Sequence, residues 1–361
     1  MEQIKRRNIV NGSMLLGGCL LGWSHTLLAE PVVPKLGTCP AIQNDAQRLA
    51  CYDKLSGAIP LPPSPEQKQQ EQAETPAAAQ ASQPSATAAA PDLEDASQLS
   101  REWELDDKDK HGTFLFRPFH TSYLLPVKYS NSPNNLPFKG GLLQSSEKLD
   151  SVEAKIQLSG KTKVVEGLFN KRADVWLGYT VTSYWQAYNS TISAPFRETD
   201  YMPEAMLVFR TDYDIAGLKG RFINLGAVHE SNGRGSTLSR SWNRIYAQFG
   251  FERGDFSLLI RPWYRIPESA SSDNNPDIQD YLGRGDIVAT YTRNGNTYSV
   301  LLRNNLKRSA NRGAVQVDWS FPLYGRLQGY VQYFNGYGES LIDYNHKQQS
   351  LGIGLSLAAW L

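Results

Sequence analysis

From about residue 113 to the final Leu361, apolar and aromatic side chains recur at every second position in a series of separate runs. In ADVWLGYTVTSYWQAY (173–188), Val175, Leu177, Tyr179, Val181, Ser183 and Trp185 fall on one side; Asp174, Trp176, Gly178, Thr180, Thr182 and Tyr184 fall on the other. FSLLIRPWYRI (256–266), GAVQVDWSFPLY (313–324) and the terminal SLGIGLSLAAWL repeat the pattern. A period of two belongs to a strand, whose successive side chains leave opposite faces. About a dozen strands are expected, near 113–125, 152–159, 173–187, 204–211, 220–230, 242–252, 256–265, 283–293, 297–304, 313–320, 326–334 and 349–360. Short turns (GRLQ, RNGNT, ERGD) and longer polar loops (188–203 and 267–280) separate them. That asymmetry, with runs of about ten residues, fits a transmembrane β-barrel with short periplasmic turns and longer extracellular loops.

A soluble sandwich or barrel is the competing architecture. Against it stand an export signal, abundant Tyr and Trp near strand ends, and alternation that continues into the closing Trp360–Leu361. The mean hydropathy of −0.44 is compatible with a barrel, because half of each strand faces a polar lumen. Basic Lys5, Arg6 and Arg7 followed by an interrupted apolar stretch read as a secretory signal peptide cut after Ala29. LGGC, ending at Cys19, is the lipoprotein-like alternative. Cys39 and Cys51 then remain in an exported chain, where a disulfide would persist, and are expected to bridge a small helical module over residues 30–58. The stretch 59–100, rich in Pro, Ala, Gln and Ser, is a linker with almost nothing to bury. The barrel domain then covers 101–361. With 37 basic and 36 acidic residues, the chain has no charge bias toward nucleic acid.

Residues 227–243, AVHESNGRGSTLSRSWN, hold the chemistry. His229 and Ser231 share one strand face. A hairpin tip near residue 236 sets His229 opposite Asn243 and Ser231 opposite Ser241, within side-chain reach. His229 could then take the Ser231 proton while Asn243 orients the ring, a Ser–His–Asn form of the catalytic triad. Gly233 could turn its N–H toward an oxyanion, and the tip offers carbonyls, Ser236, Thr237 and Ser239, hard oxygens of the kind Ca2+ accepts. The same spacing also describes an ordinary solvated hairpin. His25, His111, His120 and His346 have no metal-ligand spacing and read as structural or surface residues. GRG and GRGD read as turns.

HESNGRGSTLSRSWNR resembles the active-site segment of the outer-membrane phospholipase A family. APFRETDYMPE (194–204), RPWYRI followed by NNPDI (261–278) and GYGESLIDYN (336–345) match in order. The resemblance covers roughly residues 101–361, with the cysteine module and linker expected outside it. It implies an all-β, twelve-stranded antiparallel barrel in the bacterial outer membrane, with its site on the outer wall at the outer-leaflet rim. It also implies calcium-dependent hydrolysis of phospholipid acyl esters, with A1, A2 and lysophospholipase activities possible, and a homodimer linked to activity. By matching position, Ser231 is the nucleophile, His229 the base, Asn243 the orienting group and Gly233 the oxyanion donor. The Arg234 carbonyl and Ser239 hydroxyl would hold calcium in one protomer, with Ser193 supplied by the other. Three positions depart from the pattern. Ser236 and Asn274 stand where aspartates are expected, which puts a second calcium site in doubt, and Val181 replaces a glutamine of the dimer face. A barrel that has lost catalysis and serves as a pore or structural protein is the alternative, and a different esterase or acyltransferase using the same triad is a third reading. Asp343 is expected to serve strand packing.

Overall fold

The computed structural model describes residues 97–357 and, N-terminal to them, Arg48 alone. The chain divides into Met1–Thr87 and Ala88–Leu361, and the fold below is that of the second unit. The expected signal segment, the Cys39–Cys51 bridge, the linker through residue 96 and the Trp360–Leu361 end lie outside the described residues.

The described residues form thirteen strands: β1 (Phe116–Pro118), β2 (Tyr123–Ser130), β3 (Val152–Gly167), β4 (Ala173–Trp185), β5 (Phe196–Ile215), β6 (Leu218–Ser231), β7 (Ser241–Arg253), β8 (Phe256–Ile266), β9 (Gly285–Arg293), β10 (Asn296–Asn304), β11 (Gly313–Tyr324), β12 (Leu327–Tyr337) and β13 (Lys347–Leu357). Each of β2 to β13 pairs antiparallel with the next, and β13 returns to pair with β2, so twelve strands close a ring. β1 pairs with β3 beyond the end of β2. The expected first run at 113–125 is therefore two pieces, β1 and β2, and it reaches Ser130. Proline explains part of the irregularity. Pro126 has no N–H to donate, and the ladders on both sides of it shift register, at Leu125/Lys128 and at Ile353/Leu355.

A second correction concerns β5. The segment 196–203, expected as loop, is strand. Its buried side chains are Arg197, Glu198 and Asp200, so a search for alternating apolar residues passes over it. These groups point into the barrel, where charges are paired. Arg197 Nε lies 2.7 Å from Glu153 and its Nη1 2.9 Å from Asp343; Lys128 bridges Glu153 (3.0 Å) and Glu339 (3.1 Å).

The lumen has an aromatic half as well as this ionic half. A short helix, α1 (Gln98–Trp103), begins at the Ser97 cap, whose Oγ accepts from the Ser100 N–H. It inserts Trp103 against Trp176, Phe119 and Phe222, with ring centroids 5.2–6.1 Å apart. The Lys161 ammonium sits 3.3 Å from the Trp103 ring centroid, a cation–π contact with no water between. Outside, Leu177, Tyr179, Leu225, Ile245, Tyr264, Ile287, Leu302, Trp319 and Ile353 are exposed. So continuous an apolar wall is unfavourable in water and stable against hydrocarbon. Among the described residues no helix is long and apolar enough to cross a membrane; strands provide the crossing.

Candidate active site at the outer rim

The hairpin formed by β6 and β7 carries the residues singled out in the sequence. Its register pairs His229 with Asn243 and Ser231 with Ser241, as the turn centre predicts. Alternation then sorts the motif into two functions. Glu230, Trp242 and Arg244 face the lumen, where Glu230 accepts from the Trp242 indole (2.9 Å) and from Arg244 (2.6 Å). His229 is exposed on the outer wall with Leu225 and Ala227. On that wall His229 Nδ1 lies 2.8 Å from Asn243 Oδ1, and Ser231 emerges two residues along the same face. Gly233 follows with φ +63°, a left-handed conformation in which a Cβ would meet the Tyr201 ring at 3.2 Å. Glycine suits both requirements.

Asn232 holds the tip and was not singled out beforehand. It is buried between the hairpin and β5. Its Nδ2 donates to Glu198 Oε1 (2.9 Å) and the Leu238 carbonyl (2.8 Å), while its Oδ1 accepts from the Arg234 N–H (3.3 Å) and the Arg240 N–H (3.0 Å). Glu198 also accepts from the Ile342 N–H (3.1 Å), and Asp200 from the Leu341 N–H (3.0 Å). The FRETD and ESLID segments thus form one support beneath the tip. Asp343 belongs to it: it is buried in the loop between β12 and β13 and accepts from Arg197, Asn134 and Ser340. The NNPD segment closes the other side, with Asn275 Oδ1 accepting from the Ser241 N–H (3.1 Å).

The oxygens expected to bind calcium lie around this tip. Ser239 Oγ accepts from Asn274 Nδ2 at 2.9 Å. Arg234 directs its guanidinium inward, 3.2 Å from Glu198, and its carbonyl belongs to the tip loop. Ser193, left-handed at φ 62°, ends the turn in the neighbouring loop between β4 and β5. Among the described residues no group of three or more His, Cys, Asp or Glu could hold a metal, so a cation here would meet neutral hydroxyl and carbonyl oxygens. Such a donor set suits Ca2+ and not a thiophilic metal. Asn274 already gives its amide N–H to Ser239.

One row below His229 and Asn243 the wall is shallow. Register aligns Ala205, Ala227, Ile245 and Tyr264 across β5 to β8. The small side chains leave a groove of about 680 Å3, further lined by Leu207 and Leu225.

A family model described as phospholipase A1 matches residues 99–357. A putative phospholipase A1 of Neisseria meningitidis serogroup B is 40% identical over 344 residues, covering 88% of this chain and 89% of that protein. That coverage exceeds the barrel, so similarity to this relative extends into the N-terminal region, while the family model itself begins at residue 99, as the resemblance implies. Among solved structures, the Salmonella typhi outer membrane phospholipase dimer with bound calcium is 34% identical, with a TM-score of 0.66 over 73% of this chain and 98% of that one. An active-site mutant of Escherichia coli outer membrane phospholipase A, with asparagine replaced by alanine, is 33% identical, with a TM-score of 0.63 over 69% of this chain and 93% of that one. The fold and the matches define a lipid-facing β-barrel hydrolase of the bacterial outer membrane. The chain belongs to the phospholipase A1 family, enzymes that cleave carboxylic esters of phospholipids.

Proposed function

We propose that this barrel hydrolyses phospholipid acyl esters through Ser231, His229 and Asn243, by way of an acyl-enzyme. The observation that carries the reading is the 2.8 Å His229–Asn243 contact on the lipid-facing wall, beside Ser231. His229 Nε2 takes the Ser231 proton as Oγ attacks the ester carbonyl. Collapse of the tetrahedral adduct expels the lysophospholipid alkoxide, which takes that proton from His229. Water, deprotonated by His229, then releases the fatty acid and restores Ser231. The Gly233 N–H faces the developing oxyanion. An acyl chain leaving the ester toward the bilayer runs into the Ala205–Ala227 groove. The asparagine replaced in the E. coli active-site mutant supports assigning Asn243 to the site.

Calcium and dimerisation belong to the same proposal, supported by the calcium-bound Salmonella dimer. The Arg234 carbonyl and Ser239 hydroxyl of one protomer, with Ser193 of the other, would hold the ion; bound there, it adds positive charge near the oxyanion. The exposed apolar wall of Leu158, Leu177 and Tyr179, flanking Val181, offers the dimer face. The test is ester hydrolysis by detergent-refolded protein with calcium or chelator. Ser231→Ala is expected to lose at least about 10³-fold in kcat, and chelation to abolish wild-type turnover. Undiminished hydrolysis by Ser231→Ala would overturn the triad. A folded, inactive wild type would favour the idle barrel.

A further inference from the structure

Behind Asn243 stands a carboxylate that the triad does not contain. Register pairs Asn243 with Ile266, the last residue of β8, so the chain leaving β8 passes the far side of the Asn243 amide. Two residues on, the half-buried Glu268 places Oε1 3.4 Å from Asn243 Nδ2. We propose that Glu268 is the positioning residue of the site, extending it to a line Ser231–His229–Asn243–Glu268. The inference rests on the triad reading above.

The reason lies in what each group can donate or accept. A primary amide can turn either its oxygen or its NH2 toward a neighbour, and the two orientations have opposite consequences for the imidazole. An ionised carboxylate only accepts. Glu268 therefore requires the NH2 of Asn243 on its own side, which leaves Oδ1 facing His229 Nδ1 at 2.8 Å. Nδ1 must then carry the proton, and Nε2 is left as the free base that Ser231 needs. Glu268 also polarises the amide, making Oδ1 a stronger acceptor. It supplies, one group removed, the negative charge that an asparagine triad lacks when the imidazolium forms.

No other carboxylate fills this role on the surrounding wall. From β5 the outward titratable neighbour is Tyr201, from β8 it is Tyr264. Glu230 and Arg244 turn to the lumen and pair with each other, and Arg265 pairs with Asp273 at 2.7 Å. Arg234 and Arg240 bond to backbone carbonyls.

The experiment compares refolded wild type, Glu268→Gln, Glu268→Asp, Asn243→Asp and the double variant Asn243→Asp/Glu268→Gln, with Ser231→Ala alongside, in calcium. Folding is checked by heat-dependent gel mobility, and kcat, KM and the pH profile are read with a soluble ester. Glu268→Gln is expected to lower kcat about 10-fold with KM nearly unchanged. It is also expected to move the acid limb of the profile to lower pH, because removing a negative charge disfavours the imidazolium. Glu268→Asp should recover part of both effects. Asn243→Asp should be repaired by Glu268→Gln, since two adjoining carboxylates repel each other. A folded Glu268→Gln with wild-type kcat and profile overturns the positioning role, as does strict additivity in the double variant. If Ser231→Ala is as active as wild type, the triad itself fails and not merely its extension.

Discussion

Asn232 uses every hydrogen-bonding position of its amide, two donated and two accepted, and it does so next to Ser231, the proposed nucleophile. Asn232→Ala would take one of two donors from Glu198 Oε1 and leave the Leu238 carbonyl and two backbone N–H groups without partners, each orphaned group at a cost of about 1–3 kcal/mol. The expected result is a loosened tip in an intact barrel: faster hydrogen exchange in residues 233–240 and a kcat about 10- to 100-fold lower, with the melting of the strands little changed. At this scale the sequence was partly legible. The pairing of His229 with Asn243 follows from a turn centre and a period of two, both local. Asn232 carries no such mark, because nothing nearby in sequence announces Glu198, thirty-four positions earlier. Glu268 was invisible for the same reason, since its relation to Asn243 exists only once β8 ends beside β7. By contrast Asp343, expected to pack and not to react, lies between strands as the apolar runs imply, and its partners Arg197 and Asn134 are the part that no local pattern announces.

The strap formed by α1 and the residues after it is held by charge as well as by Trp103. Glu104, left-handed at φ 51°, accepts from Lys163 and Arg117 inside the barrel. Burial alone would raise its pKa, but those hydrogen bonds, with one from the His111 N–H, outweigh it and hold the carboxylate below its ordinary value of 4.5. The sign follows from linkage: the stabilisation is complete above about pH 4.5 and disappears as pH falls through the lower folded value. Acidification is therefore expected to release residues 97–111 to protease before the strands melt. Glu104→Gln should weaken that protection already at neutral pH. If protease sensitivity of the strap is flat from pH 7 to pH 3, the charge argument is wrong. Element existence is largely legible, because each of the twelve expected runs rests on apolar alternation and meets a strand of the fold. Apolar alternation does not reach the start of β5, whose lumen face is charged, and it runs β1 and β2 together, because proline bulges leave no mark on hydrophobic periodicity.

At the scale of the whole molecule, ring closure leaves no free edge among β2 to β13, and the lumen is occupied from both sides. The Trp103–Trp176–Phe222 cluster fills one half. Lys128, Glu153, Arg197 and Glu339 lock the other in ion pairs. Planar bilayers containing the protein are accordingly expected to show no open-channel steps across a range of applied voltage. Sustained conductance would favour the pore alternative. The filled interior has a further consequence for a cell. With the proposed site on the outside of the wall and packed side chains across the inside, copies of this protein are expected to accumulate in the membrane without carrying current, at an electrical cost independent of whether they are at work.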